Sequence, residues 1–190
     1  DRNMTQNIII IGAGGHGRVL LDALQMSGTT VRSFTDHNKN LHGSEIDGTT
    51  VIGDDKKILK FDVKAVLLVN GVGSTGNPAR RVDTFNRLRE AGYHFTNVIH
   101  SGACVSSRAR LGEGVQVMAG ALVQTGTEIG ANSIVNTGAT VDHDSRIGAH
   151  VHIATGAMLS GDVTVGNGTH IGTGACVIQG ITIGANSLIA

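Results

Sequence analysis

From Ile99 to Ile189 an aliphatic residue recurs at every sixth position, sixteen times without an insertion. Four places after each stands a small or β-branched residue, as at Ala103, Ala121, Ser133, Ala157 and Ala175. Three places after each stands a corner position. Nine of fifteen corners are Gly, two are Asn, two are Asp and one is His150, so only Arg108 departs from the residue types that tolerate positive φ. Hexapeptide periodicity of this kind predicts a parallel β-solenoid with three flat sides. The aliphatics point inward and stack in columns, and the corner residues turn the chain. Three hexads make one coil, so fifteen hexads make five coils. At about 4.8 Å per coil the prism is roughly 24 Å long.

The first half carries a different pattern. Asn7–Ile11 reads as a buried parallel strand. A glycine loop follows, then a helix with Val19, Leu20, Ala23 and Leu24 on one face. Val31–Thr35 is a second strand ending at Asp36, and Lys64–Val69 a third, running into Asn70-Gly-Val-Gly73. Asn77-Pro78 offers an N-cap and a first-turn proline for a helix carrying Val82, Phe85 and Leu88, with Gly92 at its end. Strand–helix alternation predicts a small doubly wound, Rossmann-like α/β unit. The chain therefore divides into residues 1–97, α/β, and residues 98–190, all-β.

Composition narrows the class. Glycine is abundant at 28 residues and proline occurs once; without a Gly-X-Y period this excludes collagen and argues against a disordered linker. The 15 basic and 15 acidic residues balance, which argues against a nucleic-acid-binding surface. No signal segment or bilayer-length apolar run is visible, and a cytoplasmic setting is expected. Cys104 and Cys176 lack metal-ligand spacing and suit a reducing compartment. They lie four coils apart on one column, roughly 19 Å at about 4.8 Å per coil, beyond the reach of a disulfide.

Against mostly small, inert corners, a few polar residues stand out. His143 is the only histidine at its repeat position, and the residue one coil above it is Gly161, which leaves space beside the imidazole. An imidazole titrating near neutrality suits a general base for an attacking amine or hydroxyl. Asp144 suits an orienting partner and equally suits a positive-φ corner; spacing leaves both readings open. His152 and His170 should stack one coil apart, about 5 Å. The rest of their column is Gln116, Ile134 and Leu188, which offers no clear third metal ligand, so a ligand contact or an interface is the favoured reading. His143 and His152 are half a coil apart, on opposite sides of one prism. A ligand touching both must lie between subunits, most simply in a trimer with three equivalent grooves. Arg110, Glu128 and Arg146 share another outward column and read as a solvated charge ladder.

The loop Gly12-Ala-Gly-Gly-His-Gly17 matches G-x-G-x-x-G between a strand and a helix, a setting that places phosphate on a helix N-terminus. The unit is small for a dinucleotide and His16 is atypical of a dinucleotide fingerprint. A nucleoside diphosphate, as in a nucleotide-sugar, fits better. Asp36 suits a bond to ribose or uracil, or a strand-end turn.

Together, this loop on a small α/β unit, joined through Asn97-Val-Ile-His100 to an uninterrupted hexapeptide helix, resembles the sialic acid O-acetyltransferase and sugar N-acetyltransferase family. It is most similar to the UDP-4-amino-sugar N-acetyltransferases of bacillosamine-type biosynthesis. The resemblance implies a left-handed parallel β-helix, acetyl-CoA as co-substrate without a metal, and a homotrimer. Acetyl-CoA would lie along the solenoid between subunits, and the UDP-linked sugar would be held by the N-terminal unit. It assigns His143 and Asp144 to catalysis. Asn136, His152 and Gly161 fall to acetyl-CoA, with His170 stacked beside them. Gly14, His16, Asp36, Asn70 and Gly71 fall to the nucleotide-sugar. The family's frequent Glu after the catalytic His is here Asp144, and its His-Pro between the domains is here His100-Ser101.

The expected activity is acetyl transfer from acetyl-CoA to the amine of a UDP-linked 4-amino-4,6-dideoxy sugar. Sialic acid O-acetylation is one rival. A zinc carbonic anhydrase of the β-helix type and a non-catalytic binding solenoid are two more.

Overall fold

The computed structural model describes residues 7–74 and 78–190. The chain forms two compact units, one ending at Thr96 and one spanning Asn97–Ala190.

In the first unit, β1 (Asn7–Ile11), β2 (Val31–Thr35) and β5 (Val66–Asn70) form a parallel sheet in the order β2-β1-β5. The central strand is β1, and Ile8–Ile11 are buried on both faces, as an unbroken β-branched run requires. Helices α1 (Gly15–Met26) and α2 (Ala79–Glu90) follow β1 and β5, and a short hairpin, β3 (Glu45–Ile46) with β4 (Thr49–Thr50), lies between β2 and β5. Helix α1 buries Leu20, Leu21, Ala23 and Leu24; Val19, expected with them, is 46% exposed. Strand β5 starts two residues later than expected because Asp62 turns the chain, its carboxylate accepting the Lys64 N–H and its carbonyl the Ala65 N–H. Gly92 closes α2 at φ +90°. The expected cap at Asn77 lies outside the described residues. Because the strands are parallel, the segments after β1, β2 and β5 all emerge at one edge of the sheet, the edge where such sheets bind ligands.

The second unit is the solenoid. Two-residue strands stack into two five-stranded sheets and one six-stranded sheet, each strand pairing with the strand 18 residues on. The inward aliphatics from Val117 to Val177 are buried. Inward hydroxyls also occur, and each is satisfied within the ladder: Ser133 Oγ donates to Gly148 O at 2.9 Å and accepts the Val151 N–H at 3.0 Å. Thirteen of the fifteen corners have positive φ, including Asn132, Asp144, His150, Asp162 and Asn186. The exceptions are Arg108, as expected, and Gly102, which departs from the expectation. Both lie in the first coil. Most corner N–H groups higher up donate to the coil below, as His150 does to Ala131 O. Gly102 and Arg108 instead donate to side chains two residues back, His100 Nδ1 and Ser106 Oγ. A further column, Gly112, Gly130, Gly148 and Gly166, was not foreseen; a Cβ at any of these would press into the next coil.

Candidate active site

His143 occupies the corner after the strand Thr140–Val141. Its N–H donates to Asp142 Oδ1 at 2.8 Å, and its carbonyl accepts the Asp162 N–H at 2.9 Å from the coil above. Asp144 takes φ +59° and donates its N–H to Thr125 O at 3.0 Å in the coil below. The corner so pinned brings Asp144 Oδ2 to 2.9 Å from His143 Nδ1. With Nδ1–H donating to the carboxylate, the lone pair is on Nε2. Nε2 faces Gly161, where a Cβ would come within 2.6 Å of it. The Asp144 hydrogen bond raises the imidazole above its ordinary range; the little burial present opposes this, and the charges of Asp142, Asp144 and Asp162 add to it. Next to this corner, Leu122, Gln124, Thr140, Asp142, Met158 and Ser160 line a pocket of about 270 Å³.

His152 lies on another sheet and is 6% exposed. Asn136 Nδ2 donates to its Nε2 at 3.0 Å, which assigns the ring proton to Nδ1. His170 packs edge-on against it, with ring centroids 4.7 Å apart and planes at 80°. Burial lowers the His170 pKa. Among the described residues no group of three or more His, Cys, Asp or Glu is placed to hold a metal ion. Arg110, Glu128 and Arg146 stand in register on the remaining sheet, where Arg110 pairs with Glu128. Cys104 and Cys176 are free, exposed and at opposite ends of one sheet.

In the N-terminal unit the glycines of the loop divide into two kinds. Gly12, at φ +94°, and Gly17 are contact residues: a Cβ on Gly17 would sit 2.0 Å from Gly12 O. Gly71 closes on the same loop, its built Cβ 2.8 Å from both Gly12 O and Ile11 O. Gly14 and Gly15 instead face open space. Gly14 caps α1 with no side-chain hydrogen bond, and the first turn, which contains His16, holds no acidic residue. Such an end favours an anion. Asp36 is nearly buried. Its Oδ2 accepts the Ala13 N–H at 2.7 Å, and its Oδ1 accepts the Asn38 N–H at 2.8 Å and lies 3.1 Å from His37 Nδ1. Burial alone would raise its pKa, but these two backbone donors and the nearby cations outweigh it and hold the carboxyl below the ordinary value. The carboxylate thus ties β2 to the glycine loop. Asn70 is 1% exposed, its amide donating to Arg81 O at 3.0 Å and its Oδ1 accepting the Val72 N–H at 3.2 Å, so its side chain shapes the loop after β5. Arg81 was missed by sequence reasoning. It falls off the apolar spacing Val82, Phe85, Leu88, yet it is buried while Val82 is half-exposed.

Residues 7–88 match the PglD N-terminal domain family, and residues 108–143 match the bacterial transferase hexapeptide family (six repeats). No curated protein matches the sequence. The acetyltransferase domain of PglB from Neisseria gonorrhoeae FA1090, solved with acetyl coenzyme A, superposes with a TM-score of 0.88 at 35% identity, covering 96% of this chain and 87% of that one. PerB from Caulobacter crescentus, solved with CoA and GDP-perosamine, superposes at 0.87 and 37% identity, covering 96% and 84%. WeeI from Acinetobacter baumannii AYE shares the fold at 0.72 and 18% identity, covering 97% of each chain. The chain belongs to the hexapeptide-repeat acetyltransferases of nucleotide-amino-sugar biosynthesis, in which a PglD N-terminal domain precedes a left-handed β-helix.

Proposed function

We propose that the protein transfers the acetyl group of acetyl-CoA to the 4-amine of a nucleotide-linked 4-amino-4,6-dideoxy sugar. The observation that carries this reading is the His143–Asp144 pair, 2.9 Å apart, with Nε2 turned toward the bare backbone of Gly161. His143 Nε2 takes a proton from the sugar amine as its nitrogen attacks the thioester carbonyl carbon. Asp144 holds the ring and offsets the imidazolium charge that forms. His152 donates a hydrogen bond to the carbonyl oxygen as negative charge gathers there. Collapse of the intermediate breaks the C–S bond, and the departing thiolate takes the proton back from His143. Asn136 keeps the His152 proton on Nδ1, consistent with that donor role.

The nucleotide is assigned to the glycine loop, with its phosphates against Gly14, Gly15 and the amino end of α1, near His16 and Gly71. Asp36 and Asn70 act there by shaping the loops. UDP is the proposed nucleotide, with GDP the alternative that the PerB likeness favours. His143 and His152 come from different sides of the prism, so the proposed assembly is a homotrimer in which each site draws them from two copies. The test is CoA release with UDP-, GDP- and dTDP-linked 4-amino sugars, alongside CMP-linked and free sialic acids. Release with a nucleotide-linked amino sugar supports the reading; release only with sialic acids replaces it with O-acetylation.

A further inference from the structure

The first turn of α2 places a cation where the hydrophobic pattern expects none. Arg81 is 3% exposed, and burial pushes its guanidinium pKa down to about 9. An apolar side chain of similar size would fill the same space without removing a charge from water. What the guanidinium does there is specific. Its Nη1 donates to Asn70 O at 2.7 Å and to Val72 O at 2.9 Å. These carbonyls flank Gly71, the residue pressed against Gly12 and Ile11 of the glycine loop. Asn70 returns a bond from its amide to Arg81 O at 3.0 Å, so helix and loop hold each other from both directions.

We infer that Arg81 is a positioning residue for the bound nucleotide: it grips both sides of Gly71 and so fixes the closure of the β5 loop against the glycine loop. The inference rests on the nucleotide-sugar reading of the N-terminal unit. A lysine at this place keeps the charge, but its shorter side chain ends before the position from which Nη1 reaches both carbonyls, so it is the discriminating substitution.

The experiment measures UDP and GDP binding by calorimetry to the full chain, then steady-state kinetics and melting temperature of Arg81→Lys and Arg81→Met. If the wild type binds neither nucleotide, the nucleotide reading itself fails. Given binding, Arg81→Lys is expected to weaken nucleotide affinity and raise KM for the sugar nucleotide roughly tenfold. KM for acetyl-CoA and kcat at saturating sugar nucleotide stay near wild type. Arg81→Met should lose more. Wild-type nucleotide affinity in Arg81→Lys overturns the inference. So does a parallel loss of both substrates, or a failure to fold, in Arg81→Lys, because either makes Arg81 a residue of the core alone.

Discussion

The imidazole of His143 lies beside the bare backbone of Gly161, where a built Cβ falls 2.6 Å from both Cε1 and Nε2. The contact is with the far end of a movable side chain. Gly161→Ala should therefore leave thermal stability close to wild type while pushing the ring out of line. A displacement of about 1 Å at the reacting group can cost about a hundredfold in rate, so kcat should fall by about that factor. Full activity in a folded Gly161→Ala would mean that the gap is not used by the reaction.

The Asp144 hydrogen bond raises the His143 pKa. The base must be neutral to accept a proton, so kcat/KM should rise with pH through a midpoint above the ordinary histidine value near 6.5. Asp144→Asn keeps a residue that tolerates the positive-φ corner. It should shift that midpoint to lower pH and reduce the plateau rate. The substrate amine is the same for both proteins, so the difference between the profiles reports the enzyme group. An unshifted profile would leave Asp144 as a corner residue only.

Two glycines of one loop should behave in opposite ways. Gly17→Ala drives a Cβ to 2.0 Å from a backbone oxygen, and overpacking of that kind costs about 1–3 kcal/mol or more. Gly14→Ala meets open space, so stability should change little. KM for the sugar nucleotide should rise, because the added methyl enters the space assigned to phosphate. Chemical denaturation and steady-state kinetics on the two variants check both halves of the prediction.

Burial lowers the His170 pKa. The unfolded chain therefore binds the proton first as pH falls. The stability tied to the neutral ring is complete above about pH 6.5 and declines as pH drops below it. His143, with a raised pKa, contributes in the opposite sense, but equally in wild type and in a His170 variant, so it cancels when the two proteins are compared. The stability difference between pH 8 and pH 5.5 should be smaller in His170→Gln than in the wild type. An equal difference would show that burial of this ring does not resist protonation.

The solenoid was legible because its inward positions repeat without interruption. Each aliphatic from Val117 to Val177 is buried where the period put it. The same period foretold the Arg110–Glu128 pair and the stacked rings of His152 and His170. The exception at Gly102 was not legible, because its N–H is taken by the His100 side chain, a contact that the hexad period does not encode. Sequence spacing offered Asp144 two roles, and the structure adds the 2.9 Å contact that a partner role needs. In the N-terminal unit the strands were readable from β-branched runs, but helix faces were less so. Val19 is exposed, and Arg81 takes a place that apolar spacing would give to Val82. A buried cation answered by loop carbonyls leaves no periodic trace. The bonds of Asp36 and Asn70 likewise join segments whose closeness only the folded sheet establishes.

On the proposed mechanism His143 is the base for acetyl transfer to a nucleotide-linked amino sugar. Its most direct test is the rate of CoA thiol release from acetyl-CoA in the presence of that sugar, compared between wild type and His143→Ala. The wild type should release thiol only with the sugar present, and kcat should fall by about 10²–10⁴ in the variant, with KM for acetyl-CoA little changed. A folded His143→Ala that turns over at near wild-type rate contradicts the mechanism.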